Sequence, residues 1–102
     1  MIFWGYKNSV RVTYDPRKRA RTLAERGLDF EDAGLVFAGP KMTVEDARFD
    51  YGEVRYWTYG YLRGRLVNIV WTPRAGNRRI ISMRKCNAKE VSIFEAFVDR
   101  SR

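Results

Sequence analysis

The side chains of this chain that can do chemistry are carboxylates, guanidiniums and amines; it has no histidine and one cysteine, Cys86. The commonest general base and every His-bearing triad are therefore missing. Glu53 stands two residues before Arg55, so a strand through both places them on one face. A guanidinium beside a carboxylate favours the ionised form and orients it. Such a pair suits proton abstraction, and it equally suits a structural cross-strand ion pair. Arg79 and Arg84 bracket Ile80-Ile81-Ser82-Met83, and a planar guanidinium grips two phosphate oxygens at once. The two arginines have opposite strand parity, so they share a face only if a bulge or a strand end intervenes. Lys18, in the run Arg17-Lys18-Arg19, can serve as an acid or phosphate ligand, or simply sit on a solvated helix face.

Further candidates are less specific. Arg65, Arg74 and Lys85 can touch a nucleic-acid backbone, or guard strand ends against edge pairing. Trp57, Tyr59 and Trp71 can stack on bases, or fill the core as such residues more often do. Asp46, Asp50 and Glu53 form one tight acidic group, and a magnesium site there is a rival to metal-free chemistry. One thiol makes neither a zinc cage nor an intrachain disulfide, so Cys86 is read as a small buried apolar residue.

Positioning these groups takes a fold of modest size. The 102 residues suffice for one domain over 1–102, with residues 1–9 as an aromatic-rich extension. Hydrophobic residues make up 45% of the chain, enough for a packed core. The net charge of +8 is unevenly placed: +5 over residues 1–27, −5 over 28–53 and +8 over 54–102. Basic ends around an acidic middle suggest a polarised surface that attracts phosphates. No apolar stretch is long enough to span a bilayer and the N-terminus does not read as a signal peptide, so a reducing cytoplasm is the expected compartment.

Local patterns give the elements. Val10 to Tyr14 alternates as a short strand. Asp15-Pro16 opens a basic helix that stops at Gly27, with Ala20, Leu23 and Ala24 as its narrow apolar stripe. Asp29 caps a second helix that buries Phe30, Ala33, Val36 and Phe37. Gly39-Pro40 ends it, with Gly39 expected in the left-handed cap. Residues 41–50 hold one short strand and a loop. Glu53 to Leu62, Arg65 to Thr72 and Arg78 to Lys85 form a meander, joined by a tight Arg63-Gly64 turn and a Pro73 to Asn77 loop. Asn87 and Glu90 make a capping box for a last helix. The fold class is α+β: an antiparallel sheet of N-terminal strand plus meander, packed against two N-terminal helices and one C-terminal helix, which cover one face. Val67, Ile69 and Trp71 should pack beneath helices, with Leu66 and Val70 on the other face.

Several segments together resemble the BrnT family, the toxins of bacterial type II toxin–antitoxin modules. They are Tyr14-Asp15-Pro16-Arg17-Lys18, Gly27 to Ala33, Val36-Phe37-Ala38-Gly39-Pro40, Asp50 to Arg55, Val70 to Arg74 and Arg79 to Lys85. At three positions the chain departs from the family's usual residues: Thr22 for Asn, Arg26 for His and Phe94 for Tyr. The resemblance implies a RelE-like fold and a ribonuclease that inhibits translation. It further implies metal-independent attack of a 2′-OH on the adjacent phosphate, without a cofactor. In that scheme Lys18, Glu53, Arg55, Arg79 and Arg84 are catalytic, and Arg65, Arg74 and Lys85 bind RNA. The partner it implies is a BrnA-type ribbon-helix-helix antitoxin, in a higher-order complex that binds operator DNA through the antitoxin. The alternative function is a catalytically degenerate module that binds RNA or the antitoxin. A DNA-binding repressor in its own right is disfavoured, since neither a helix-turn-helix nor a ribbon-helix-helix pattern is visible.

Overall fold

A computed structural model describes residues 10–101. Five strands and three α-helices follow in the order β1 (Val12–Thr13), α1 (Pro16–Arg26), a 3-10 turn (Phe30–Asp32), α2 (Ala33–Ala38), β2 (Lys41–Glu45), β3 (Tyr56–Leu62), β4 (Arg65–Arg74), β5 (Asn77–Lys85) and α3 (Ala88–Arg100). The α+β class is as expected, and the lead-in at residues 1–9 lies outside the described residues.

The local start and stop signals act as the residue types dictate. Asp15 accepts a hydrogen bond from the Arg17 amide, Pro16 fills the first turn of α1, and Gly27 closes it at φ 70°. Asn87 and Glu90 form both halves of the capping box on α3. Arg63 and Gly64 take φ values of 49° and 84°, the paired positive angles of a two-residue hairpin turn. A second such turn stands at Ala75-Gly76, where φ is 53° and 79°. The anticipated Pro73 to Asn77 loop is therefore shorter, with β4 running on to Arg74. The second helix is also split. Asp29 caps the 3-10 turn through the Glu31 amide at 3.0 Å, and α2 starts only at Ala33. Gly39 ends α2 in an extended conformation, φ −99° and ψ −170°, instead of the left-handed cap expected of it.

The sheet order is β1-β5-β4-β3-β2. All neighbours are antiparallel except β1 and β5, which are parallel, so the sheet is mixed. Between β1 and β5 stand two helices and three strands, so no tight turn dictates their relative direction, whereas the meander turns can join only antiparallel neighbours.

The helices cover both faces, which corrects the expectation of one. Leu28, Phe30, Ala33, Val36 and Phe37 pack with Val67, Ile69, Ile80 and Met83 on the first face. On the second face Phe94 of α3 packs with Leu66 and Cys86, and Tyr59 joins from β3. The cause is visible in β4, where Leu66, Val67, Asn68 and Ile69 are buried in succession. A run buried on both sides requires cover on both sides. Trp71 packs against the first cluster as expected, and its indole N–H donates to Thr58 Oγ1 at 2.8 Å. At Gly60 an added Cβ would stand 2.7 Å from Val36 Cγ1, so α2 approaches β3 to backbone contact there. The apolar stripe of α1 is not buried: Leu23 stays 45% exposed, and the helix is held through polar contacts instead. Arg19 grips Asp29 at 2.7 and 3.1 Å, and Arg26 donates to the Met83 carbonyl at 2.8 Å.

No helix among the described residues is long and apolar enough to cross a membrane.

Candidate active site

α3 covers only part of the second face. The uncovered part is the floor of a cleft of about 360 Å³, lined by Asn68, Val70, Ile81, Ser82 and Arg84 of the sheet. Its wall is the segment between β2 and β3, which contributes Asp46, Arg48, Tyr51 and Arg55, with Trp57 at the start of β3.

Asp46 builds that wall. Its amide donates to the Arg55 carbonyl at 2.8 Å, closing the base of the loop. Its carboxylate is buried and accepts from Arg48 Nε at 2.9 Å, Arg48 Nη2 at 3.2 Å, Tyr51 Oη at 3.1 Å and Trp57 Nε1 at 3.2 Å. The bonds from Arg48, followed in importance by those from the Arg48 amide and Tyr51, bring the carboxyl down to about 2 against the cost of burial. The Arg48 guanidinium in turn lies 4.6 Å from the Trp57 ring centroid.

Glu53 belongs to this loop, since β3 begins at Tyr56 and not at Glu53 as its sequence suggested. The anticipated pairing with Arg55 nevertheless forms, with Arg55 Nε 3.4 Å from Glu53 Oε2. Arg74 takes the other oxygen at 3.0 Å, reaching across from the end of β4. Arg55 also lies 3.9 Å from the Tyr51 ring centroid. Thr72, buried beside Arg74, donates to the Val54 carbonyl at 2.6 Å and pins the same loop to β4.

The parity difficulty of Arg79 and Arg84 is resolved by a bulge. Val70 pairs with Ser82 but Trp71 pairs with Ile80, so Ile81 is the extra residue. Ile80 and Met83 consequently both point into the first core cluster. Their outer neighbours, Arg79 and Arg84, both fall on the cleft side of the sheet. Arg84 lines the cleft and is held by Glu90 at 2.9 and 2.7 Å, which ties it to the first turn of α3. That charge-assisted pair, with the capping bond from the Asn87 amide, brings the Glu90 carboxyl down to about 2. Arg79 pairs in register with Thr72 and Thr13 and makes no ion pair with any described residue.

Of the anticipated residues Arg55 and Arg84 line the cleft, Glu53 and Arg74 join Arg55 through ion pairs outside the lining, and Arg79 lies on the same face of the sheet beyond the lining. The cleft does not gather the others. Lys18 sits on α1 and lines no part of the cleft. Arg65 and Lys85 are exposed at the far end of the sheet, and Arg65 is about 30 Å along β4 from Arg74 at roughly 3.3 Å per residue. Tyr59 and Trp71 serve the two core clusters, and Trp57 is committed to Asp46 and Arg48. Asp46, Asp50 and Glu53 do not converge as a ligand set, and no group of three potential metal ligands stands together among the described residues. Each is engaged separately, Asp50 with the Gly52 amide at 3.0 Å.

Sequence reasoning missed Arg48, Tyr51, Asn68 and Ser82 as cleft residues. A signal existed for Arg48, which with Lys41 supplies the only positive charge between residues 28 and 53. Among the described residues five of the six ion pairs draw their carboxylate from that acidic stretch, and four of these five reach arginines of the basic ends. At the positions that depart from the family's usual residues, Arg26 holds the Met83 carbonyl and Phe94 is fully buried against Tyr61. Cys86 is buried as expected, and burial raises its thiol to about 11.

A search of curated proteins returns no match for the chain. Residues 14–90 match the family model described as "Ribonuclease toxin, BrnT, of type II toxin-antitoxin system", a span that contains the whole cleft, and the chain belongs to that family.

Proposed function

We propose that the protein is a metal-independent endoribonuclease whose active site is the open half of the second sheet face. The observation that carries this reading is Glu53 held between Arg55 and Arg74 at the rim of a cleft that also contains Arg84. In the proposed reaction, an incoming phosphodiester competes for the two guanidiniums. Arg55 and Arg74 shift towards its oxygens and release a Glu53 oxygen, which takes the proton of the 2′-OH. The 2′ oxygen attacks the adjacent phosphorus, the P–O5′ bond breaks and the 5′ oxygen leaves as a hydroxyl on a proton returned by the protonated Glu53 through water, giving a 2′,3′-cyclic phosphate. Arg79 and Arg84 stabilise the charge that accumulates on the phosphoryl oxygens. Lys18, Arg65 and Lys85, which stand away from the cleft, are assigned to the RNA backbone on its way in and out.

Inhibition of translation in the cytoplasm follows in this reading from RNA cleavage. Neutralisation is assigned to a BrnA-type ribbon-helix-helix antitoxin that also carries operator binding. Phe94, which offers no hydroxyl and is sealed in the core, favours a second reading in which the chain is a catalytically degenerate module binding RNA or the antitoxin. Incubation of the purified chain with RNA in EDTA separates the two. The ribonuclease reading expects cyclic-phosphate products from the wild type and none from the Glu53→Ala, Arg79→Ala double variant. Loss of cleavage in EDTA, or a fully active double variant, overturns it.

A further inference from the structure

Asn68 lies at the middle of β4, between Tyr59 of β3 and Arg84 of β5, on the floor of the cleft. It is 2% exposed, and its Nδ2 has no hydrogen-bond partner. An unmet donor at that depth costs about 1–3 kcal/mol, and an apolar residue of similar shape would avoid the cost. Arg55 Nε is a second buried donor without a hydrogen bond, because its approach to Glu53 is not aligned for one. The Ser82 hydroxyl, which can also donate, lines the same space.

The acceptors of the cleft present the opposite picture. The one carboxylate in its lining, Asp46, is saturated by Arg48, Tyr51 and Trp57. The missing partner must therefore bring an acceptor to Asn68 Nδ2, and no free carboxylate stands in the lining to attract a cation instead. A phosphodiester has only acceptors, whereas every nucleobase carries an N–H group as well. Charge agrees with this choice. Arg48, Arg55 and Arg84 against Asp46 leave the lining at +2 (three positive, one negative), and Glu53 and Glu90 balance it only from outside the lining.

We infer that Asn68 is an RNA-binding residue that donates from Nδ2 to a non-bridging oxygen of the RNA backbone, alongside Arg55. The inference rests on the ribonuclease reading for the identity of the ligand, but it concerns binding and not cleavage. As a neutral donor Asn68 releases no counterion, so its contribution is independent of salt, and as a reader of the backbone it is indifferent to base.

The test uses 2′-O-methyl oligouridine and oligoadenine, which cannot be cleaved, with binding followed by fluorescence anisotropy over a salt series. Asn68→Leu is expected to weaken both oligonucleotides by at least about tenfold, as for a hydrogen bond to a charged group. The log–log salt slope should stay at the wild-type value, and the melting temperature should equal or exceed it. Arg55→Ala should instead flatten the slope. Affinity within twofold of wild type, a loss confined to one base, or a wild type that binds neither oligonucleotide overturns the inference. Should the leucine variant not fold, the wild type alone decides. The Asn68 side-chain amide signals in a ¹H–¹⁵N spectrum must move when oligouridine is added, and an unmoved pair refutes the contact. Cleavage of unmodified RNA, assayed in parallel, reports on the catalytic reading separately.

Discussion

Arg79 and Arg84 extend from the same side of β5, although an odd number of positions separates them. The bulge at Ile81 absorbs one residue, so Ile80 and Met83 both reach the core while the arginines on either side both fall on the opposite face, where Arg84 lines the cleft. A regular strand would send one of the two arginines beneath the helices, where no carboxylate of the first core cluster could receive it.

The two arginines should separate by stability, not by activity. Arg79→Ala is expected to lower the single-turnover cleavage rate by about 10²–10³, the usual loss for one donor to a charged transition state. Arg84→Ala should lower it comparably and also cost up to about 1 kcal/mol of stability, since Glu90 and the start of α3 lose their half-exposed partner. Lys18→Ala should cost less in rate than either. Quench-flow rates set beside thermal melts of the three variants check this, and rates within a few-fold of wild type for both arginines would contradict the active-site assignment.

Acid should loosen the cleft wall and the α3 cap together. Asp46 and Glu90 lie near 2 in the fold, against 3.8 and 4.5 for the free groups. A lowered carboxyl stabilises the fold above its unfolded value, and that contribution disappears as pH falls through the folded value. The melting temperature should therefore be level with respect to these groups above about pH 5 and fall between pH 5 and 2. Asp46→Asn should melt lower than wild type at pH 7 and show a shallower acid decline. A parallel decline in that variant would rule out Asp46 as a source.

Gly60→Ala should destabilise by about 1–3 kcal/mol, because the new methyl meets Val36 and the Pro40 carbonyl and α2 must lift from β3. Urea unfolding measures it. A stability equal to wild type would mean that α2 does not lie as close as this structure places it.

Cys86 should be unreactive in the folded protein. Its thiol is buried beside Leu66 and Phe94 and lies near 11, so little thiolate exists at neutral pH. Ellman's reagent should label it only on the timescale of unfolding, and labelling at the rate of a free thiol at pH 8 would show the second cluster to be open.

Features set by neighbouring residues were legible without coordinates. Asp15-Pro16, Gly27, Arg63-Gly64 and the Asn87–Glu90 box act within one turn of chain, so their meaning does not depend on what lies across the sheet. The apolar run of β4 likewise announced a central strand, and the ordered motifs from Tyr14 to Lys85 carried the family. Gly39 shows the limit of local reading, since the chain must turn directly into β2 and the approach of α2 to Gly60 leaves no need for a left-handed cap. The rest was decided by register and burial between distant segments. Whether Arg79 joins Arg84 depends on a bulge set by β4, and whether α3 covers the second face depends on Leu66 and Phe94 meeting over 28 residues of chain. Asp46 looked like one of three metal-seeking carboxylates, and only the closing of the loop between β2 and β3 delivered five donors to it. Asn68 carried no signal at all, because an asparagine in a strand acquires meaning only when the fold buries its amide and supplies nothing to receive it.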